Sequence, residues 1–202
     1  MTTISGFWHA AARLSGRIDW STLLEAQRSI EHASNERLYR AGISKRNIQQ
    51  LRQAQAMSFE GNAIFIDSST YPPALRHLPY APPILFYAGN RDLLNKPCIS
   101  IVGARKCSQQ GKQLTHTMAT ALAAAGLVVV SGMAYGIDDA AHRAAPGKTI
   151  AVLGLGIDQC LRSHQSKTMS ALIERGGLVI SEFSPYIPAS RHTFPKRNRI
   201  IA

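Results

Sequence analysis

Cysteine is scarce in this sequence, and acidic side chains and long apolar runs are scarce as well. The 202 residues include three cysteines, Cys98, Cys107 and Cys160, an odd number with no CxxC pair. This usage argues against a disulfide framework and against a zinc site. Because Cys98 opens a strand-like run, we expect it to be a small buried hydrophobe.

The apolar runs are too short for a membrane protein. The longest, at residues 118–130, contains Thr120 and falls well below the ~20 residues that a membrane-spanning helix needs. The N-terminal sequence MTTISGFWHAAARLSGR lacks the basic start and apolar core of a secretory signal peptide. We therefore expect a cytoplasmic protein without a membrane partner.

Basic residues outnumber acidic ones. Lys and Arg total 23 against 12 Asp and Glu, which gives a formal net charge of +11. Residues 93–137 and 183–202 contain no acidic side chain at all. An excess of this sign favours a polyanionic partner such as nucleic acid. The alternative is a basic surface that only keeps the protein in solution.

The composition changes along the chain. Residues 1–57 are interpreted as helical, because WSTLLEAQRSI and SKRNIQQLRQAQAM carry apolar residues at three- and four-residue spacings. Ser21 and Ser44 are suitable N-caps, and Gly42 suits a helix end. Residues 61–90 hold five of the ten prolines and suggest a linker with two short extended pieces, AIFI and ILFYA. We predict a small helical domain at residues 1–60 and a second domain at 61–202.

The second domain alternates aliphatic runs with helix-like segments. Four runs are typical of strands buried on both faces: ISIV (99–102), LVVV (127–130), TIAVL (149–153) and LVIS (178–181). Residues 108–125, 138–144 and 166–175 are predicted helices between them. This order predicts an α/β fold, a Rossmann-like parallel sheet with right-handed crossovers.

Glycine and arginine follow the predicted strands, at the edge where open parallel sheets bind ligands. Gly103, Gly132 and Gly136 permit sharp turns and let backbone N–H groups approach a ligand, and following helix N-termini add partial positive charge. Arg105 could hold phosphate oxygens with two hydrogen bonds. The pattern predicts a phosphate-binding rim, although turn geometry alone also explains these glycines. Neither GxGxxG nor a Walker motif is present.

Two pairs of polar residues near the strand ends could carry chemistry. Asp138 and His142 are one helical turn apart and could form an acid–base or metal pair. A helix N-terminal charge beside a stacked histidine is the simpler explanation of these two residues. Ser181 and Glu182 could be catalytic, or they could be structural acceptors for loop N–H groups. The sequence gives no other indication of a cofactor or a metal.

The segment FPKRNRIIA at residues 194–202 combines one aromatic ring, three cations and an amide. Aromatic faces stack on bases and cations follow phosphates, so this composition is typical of a groove for single-stranded nucleic acid. The alternative is a basic turn that leads into a helix.

Six segments together resemble the DprA/Smf family of DNA-processing proteins. They are YPPALRHLPYAPPILFYAGN (71–90), ISIVGARKCSQQG (99–111), VVVSGMAYGIDDAAH (128–142), TIAVLGLGID (149–158), GGLVISEFSP (176–185) and FPKRNRII (194–201). The resemblance runs from about residue 60 to the end. It implies an extended Rossmann-like domain that binds single-stranded DNA during natural transformation, protects it and helps load the recombinase RecA. It implies no bond-making or bond-breaking chemistry, no cofactor and no metal.

The resemblance also implies the site. The family's phosphate-binding loop falls on Gly103, Ala104 and Arg105. Further members of the same rim are Gly111, Ser131, Gly132 and Gly136, and the second basic element falls on Phe194, Lys196, Arg197 and Asn198. Family members continue beyond this element with further strands and helices, which supply much of the homodimer surface. We therefore expect the sheet here to be incomplete, with its C-terminal part missing.

Two other classes of function stay open. A Rossmann-like hydrolase acting on nucleotides or nucleotide sugars would carry a PGGxGT-type loop with a following glutamate, and the nearest segment, ERGGLVISEF, lacks the Pro and the Thr. A protein-interaction adaptor would use the helical N-terminus, and the acid-free C-terminal stretch argues against it.

Overall fold

The computed structural model describes residues 2–5, 34–49, 58–78 and 80–202, which fall into two units, Met1–Leu85 and Phe86–Ala202. The elements of the first unit are β1 (Thr2–Ser5), α1 (Asn35–Arg40), β2 (Ser58–Gly61), β3 (Ala63–Phe65) and α2 (Pro73–Arg76). The predicted division into domains of residues 1–60 and 61–202 stays a prediction.

The first unit is only partly helical. β1 pairs antiparallel with β2, so the helical interpretation of residues 1–57 is wrong for Thr2–Ser5. Helical structure is present in α1 and at residues 45–49. Ser44 caps the latter stretch, since its Oγ accepts a hydrogen bond from the N–H of Asn47 at 3.4 Å. Ser21 and the segment WSTLLEAQRSI lie outside the described residues.

The second unit is an alternation of strands and helices. Its elements are β4 (Ile84–Gly89, which begins at the end of the first unit), a 3-10 helix (Arg91–Asn95), β5 (Cys98–Ser100), α3 (Gln109–Ala124), β6 (Val128–Ser131), α4 (Ile137–Ala144), β7 (Thr149–Val152), α5 (Ile157–Leu161), α6 (Ser166–Glu174), β8 (Leu178–Ser181) and α7 (Thr193–Ile201).

Within this unit the strands lie in the order β4-β8-β7-β6-β5. β5, β6, β7 and β8 are mutually parallel, with Val130 opposite Ile150 and Val152 opposite Ile180. The predicted α/β fold and parallel sheet are therefore confirmed. β4 departs from the prediction because it joins β8 antiparallel.

Helices α3 and α4 pack closely against the central part of the sheet. All residues of β6, β7 and β8 are buried, as their aliphatic runs predict. α3 and α4 place small side chains against Val129, among them Ala119 and Ala141, both completely buried. Small residues at this contact let the helix backbones lie close together and close to the sheet.

β5 differs from the other parallel strands because it is at the end of the strand order, with β6 as its neighbour. Its three residues are exposed. The expectation that Cys98 is buried is therefore wrong, because the sequence pattern does not distinguish an edge strand from a central one.

The predicted helix over residues 108–125 is confirmed by α3. Ser108 caps this helix, and its Oγ accepts a hydrogen bond from the N–H of Gly111 at 3.0 Å. In the part of the chain that the structure describes, no helix is both long and apolar enough to span a bilayer.

Candidate nucleic-acid interface

Arg197 joins α7 to the carboxyl ends of two strands. Its guanidinium donates hydrogen bonds to the carbonyl oxygens of Gly132, at 2.9 Å, and Val152. Only 5% of Arg197 is exposed. A Cβ at Gly132 would lie 2.7 Å from its Nη2, so a glycine is needed where the guanidinium crosses the strand end. Arg197 is therefore an internal tie rather than an exposed cation.

A carboxylate of the protein occupies the centre of the glycine-rich rim. Asp138 is buried, and its Oδ2 accepts hydrogen bonds from the N–H groups of Gly132 at 3.1 Å and Ala134 at 3.4 Å. Its Oδ1 accepts from Gly103 N–H at 3.4 Å. Two of the glycine N–H groups predicted to face a phosphate therefore bind Asp138 instead.

Asp138 also balances the buried charge of Arg197. Burial lowers the pKa of the Arg197 guanidinium, the nearby Asp138 carboxylate raises it, and Arg105 lowers it further. The three charges are thus close enough to interact. The nearby anion and the two carbonyl acceptors offset the cost of removing the Arg197 cation from water.

The other rim residues also serve the framework. A Cβ at Gly103 would lie 2.7 Å from Ile137, and Gly136 has a φ of 87° that suits glycine. The carbonyl of Ala104 accepts a hydrogen bond from Ile137 N–H at 3.3 Å. The hydroxyl of Ser131, which is fully buried, donates to the carbonyl of Ile101 at 2.6 Å. The turn-geometry explanation of the glycines is the one that these contacts favour.

Arg105 and Phe194 bring the two predicted basic elements together. The guanidinium carbon of Arg105 lies 5.6 Å from the centroid of the Phe194 ring, a cation–π contact. Arg105 is exposed and Phe194 is half-buried. A Cβ at Gly154 would lie 2.7 Å from Phe194 Cδ1, so the ring rests on the glycine turn after β7.

Glu182 fastens α7 to the end of β8. This carboxylate is 2% exposed, and both of its oxygens accept from the Arg199 guanidinium, at 3.1 and 2.7 Å. Lys196 Nζ is 3.4 Å from the same carboxylate and 5.5 Å from the centroid of the Phe183 ring. The basic residues of this segment thus lie on an anchored helix.

Two further predicted residues have defined positions. Asn198 is exposed on α7, and its Oδ1 accepts from Arg197 Nε at 3.2 Å. Ser181 Oγ donates to the Leu155 carbonyl at 2.7 Å and accepts from the Phe183 N–H at 3.0 Å. The structural interpretation of Ser181 is confirmed.

Asp138 and His142 have different partners and do not form a pair. Asp138 faces the glycine loops, whereas His142 Nδ1 lies 2.7 Å from the hydroxyl oxygen of Thr149. Burial lowers the pKa of His142 to about 4, and Arg197 acts in the same direction. Across the described ranges, no three His, Cys, Asp or Glu side chains group as a metal site would require.

A groove of about 830 Å³ continues from Arg105 between α3 and α4. Its basic side chains are Arg105, Lys106, Lys112, His116 and Arg143, the last paired with Asp139 at 2.9 Å. Tyr135, which is 62% exposed, also lines it and stacks on His164 with 5.6 Å between ring centroids. The sequence analysis did not single out Lys112 and Tyr135 as candidate site residues. Both lie in the stretch 93–137, whose lack of acidic residues indicated a polyanionic partner.

Residues 62–202 match the family model described as DNA recombination-mediator protein A. The chain belongs to this family. Among curated relatives, DNA processing protein DprA of Streptococcus pneumoniae is 44% identical over 135 residues, covering 65% of this chain and 47% of the relative. Protein Smf of Escherichia coli is 32% identical over 178 residues, covering 82% and 48% respectively. The chain spans about half the length of these two relatives.

Solved structures of family members show the same fold. The X-ray structure of DprA from Streptococcus pneumoniae matches with a TM-score of 0.69 and 29% identity, covering 99% of this chain and 75% of that one. A DNA processing protein A structure from Helicobacter pylori matches with a TM-score of 0.63 and 29% identity, covering 70% and 65%. The Helicobacter structure concerns the single-stranded DNA binding mode of that protein.

Proposed function

We propose that this chain binds single-stranded DNA at the carboxyl edge of its parallel sheet. The observation that carries the proposal is the exposed Arg105 guanidinium held 5.6 Å from the Phe194 ring, at the mouth of a groove lined with basic side chains. A guanidinium can hold phosphate oxygens with two hydrogen bonds, and an aromatic ring beside it can stack on a base. The single-stranded DNA binding of the Helicobacter relative supports the same ligand.

The residues divide into those that contact DNA and those that hold the contacts in place. Arg105 and Phe194 form the centre, Lys106 and Lys112 extend it along the groove, and Lys196 follows Phe194 on the same helix, α7. Exposed Asn198 adds an amide next to this centre. The framework residues are Gly103, Ala104, Gly111, Ser131, Gly132, Gly136 and Arg197.

Binding of this kind is sequence-tolerant. Backbone phosphates supply most of the electrostatic free energy, and every base offers a face for stacking. Strong salt dependence and a preference for single strands follow, because bases stacked inside a duplex cannot reach Phe194.

The test is fluorescence anisotropy with a labelled strand of about 30 nucleotides, longer than the ~4–16 nucleotides that one binding fold covers. The titration is repeated at several salt concentrations and with a duplex competitor. Tight, salt-sensitive binding that the duplex does not compete away supports the proposal. A folded, monodisperse sample that does not bind, or that binds the duplex equally well, contradicts it.

We propose that the chain acts by binding and not by catalysis. The carboxylates that a hydrolase would use already have protein partners: Asp138 binds backbone N–H groups, and Glu182 binds Arg199 and Lys196. The competing hydrolase hypothesis predicts turnover of nucleoside monophosphates or nucleotide sugars. Product above a protein-free control, lost in a Glu182→Gln variant, would establish the hydrolase; no product supports the binding protein.

The family resemblance extends this proposal to natural transformation. We propose that the chain protects incoming single-stranded DNA in the cytoplasm and helps load RecA onto it. In a nuclease-protection assay, the chain should lengthen the lifetime of a single strand. With RecA present, it should shorten the lag before filament formation, and an unchanged lag would contradict the loading role.

The homodimer of the family is a separate proposal. Sedimentation velocity of the 202-residue chain over a range of concentrations tests it directly. A mass twice that of the 22.0 kDa chain supports self-association, whereas a constant monomer mass contradicts it.

A further inference from the structure

Tyr135 and His164 form a stacked aromatic pair at the carboxyl edge of the sheet. Their ring centroids are 5.6 Å apart and their planes are inclined by 14°, a near-parallel arrangement at a spacing that is ordinary for aromatic pairs. Tyr135 belongs to the loop between β6 and α4, and His164 belongs to the turn between α5 and α6. Both rings are exposed, and neither is part of the Arg105–Phe194 centre.

The two loops that carry this pair are joined to each other by a hydrogen bond. Gln165, the residue after His164, donates from Nε2 to the carbonyl of Met133 at 2.5 Å. The N–H of Ala134 is bound by Asp138 Oδ2 at 3.4 Å. Met133 is 3% exposed and has a φ of 56°, a backbone conformation that a residue other than glycine keeps only where its surroundings hold it. The loops are therefore fixed by contacts within the protein.

One face of the Tyr135 ring is open. His164 covers the other face, yet 62% of Tyr135 is exposed, which requires that the uncovered face is accessible to solvent. Tyr135 lines the groove of about 830 Å³ that begins at Arg105. A nucleic-acid base has a flat π-face of its own and can stack on an aromatic side chain. The open face of Tyr135 is thus a surface on which a base in the groove can stack.

Tyr135 is also next to the arginine of the proposed interface. A Cβ at Gly136 would lie 2.6 Å from the carbonyl oxygen of Arg105, so the backbones of the two loops are in contact at this point. The side chain of Arg105 contacts Phe194. Tyr135 and Phe194 are therefore both neighbours of one cation. Because each phosphate of a strand links two nucleotides, a phosphate held by Arg105 brings a base for each ring.

The charge of the groove favours a nucleic acid over a neutral ligand that could stack on Tyr135, such as a sugar ring. Lys106, Lys112 and His116 line the same groove. Asp139 is the acidic side chain among the lining residues, and its carboxylate is paired with Arg143 at 2.9 Å. The ring thus lies among cations, which a neutral sugar would not use and a phosphate backbone would.

We propose that Tyr135, backed by His164, is a second base-stacking position of the interface. This inference rests on the proposed function, since it requires a single strand bound at Arg105. One base next to the bound phosphate stacks on Phe194, and a base further along the groove stacks on Tyr135. Tyr135 contacts the strand, whereas His164 is a positioning residue that holds the tyrosine ring in place.

Paired variants of Tyr135 test the contact by anisotropy with the strand of about 30 nucleotides. Tyr135→Leu keeps an apolar side chain but removes the ring, and it should weaken binding by about fivefold or more. Tyr135→Phe keeps the ring and should stay within about twofold of wild type. Tyr39→Leu removes an exposed tyrosine of the first unit and should bind like wild type. Equal affinities of the two Tyr135 variants would overturn the proposal.

Photocrosslinking shows directly which ring a base stacks on. A strand that carries 5-iodouracil forms adducts with an aromatic side chain in stacking contact, and mass spectrometry identifies the modified residue. We expect adducts on both Tyr135 and Phe194. Adducts on Phe194 without any on Tyr135 would overturn this inference and leave the proposed function standing, whereas a wild-type chain that binds no strand would overturn both.

The positioning role of His164 has a separate readout. His164→Ala should lower the adduct yield on Tyr135 relative to the yield on Phe194, because the tyrosine ring loses the partner that holds it. His164→Phe restores a ring at this position and should restore the ratio of the two yields. The same ratio in wild type and His164→Ala would overturn the positioning role.

Discussion

Arg105 and Phe194 are in contact across the carboxyl edge of the sheet, with the guanidinium carbon 5.6 Å from the ring centroid. Arg105 comes from the loop after β5 and Phe194 from the first turn of α7. Their contact places a cation and an aromatic ring side by side, which is the combination that the proposed binding of single-stranded DNA would use.

Replacing Arg105 by alanine should weaken single-strand binding by about tenfold or more. A charge-assisted hydrogen bond contributes about 1.5–3 kcal/mol, and Arg105 is exposed, so its removal should leave the unfolding temperature unchanged. Anisotropy and thermal unfolding measure the two effects. Arg91→Ala, at an exposed arginine of the 3-10 helix, is the matched control. A folded Arg105→Ala variant with wild-type affinity would remove Arg105 from the interface.

Phe194 should contribute through its ring. Phe194→Leu keeps an apolar side chain against Gly154 but loses base stacking, which is worth about 1–3 kcal/mol per base. Phe194→Tyr keeps the ring and should bind almost as well as wild type. Equal affinities of the leucine and tyrosine variants in a strand titration would show that stacking on this ring does not occur.

Arg197 should matter for stability, even though it lies in the same basic segment. Arg197→Met leaves the carbonyls of Gly132 and Val152 without their donor and Asp138 without its cation. We expect a loss of about 2–4 kcal/mol in the free energy of unfolding, measured by urea denaturation. Lys196→Met is the neighbouring comparison. A variant as stable as wild type that binds DNA poorly would place Arg197 among the DNA contacts.

The groove between α3 and α4 should be visible in the salt dependence of binding. Each phosphate contact on a single strand contributes about 0.7 to the slope of log K against log salt. Lys106→Gln combined with Lys112→Gln should therefore lower the slope by about 1.4. The same slope in the double variant would mean that the strand does not follow the groove.

His142 should make the fold sensitive to acid. Its pKa is lowered to about 4 in the folded state, against an ordinary value of 6.5, so the unfolded chain binds the proton first as the pH falls. The contribution of neutral His142 to the free energy of unfolding is fully present above pH 6.5. It is lost progressively as the pH falls to about 4, by up to about 3 kcal/mol. Urea titrations at several pH values measure it. His142→Gln should remove this part of the pH dependence, and parallel wild-type and variant curves would contradict the assignment.

Much of the fold could be predicted because its signals are local. Aliphatic runs mark β6, β7 and β8, and Ser108 marks the start of α3. The exposure of Cys98 could not be predicted in this way, because it depends on which strand comes last in the sheet. The β1–β2 pair was missed for a similar reason, since its partners are distant in sequence.

The sequence predicted which residues lie together at the edge of the sheet, but not which partners they have; their role in binding stays a prediction. The glycines, Arg105 and the segment FPKRNRII indicated the edge of the sheet. The N–H groups of Gly103 and Gly132, which were expected to bind a phosphate, instead donate hydrogen bonds to Asp138. This contact becomes visible only in the folded chain. The role of Arg197 could have been inferred, since Arg197, Ile200 and Ile201 follow the three- and four-residue spacing of one helix face, and all three are buried.

The attachment of α7 to the sheet at two points, through Arg197 and through Glu182, has a thermodynamic consequence. Arg197 bonds α7 to the carbonyl of Gly132, and Glu182 binds the helix to the end of β8. Phe194 and Lys196 therefore lie on a helix that is already ordered. If single-stranded DNA binds there as proposed, α7 does not have to become ordered, and the conformational entropy lost on binding falls mainly on the DNA. The heat-capacity change of association should therefore be small and set by the contact area alone, without the large signature of coupled folding.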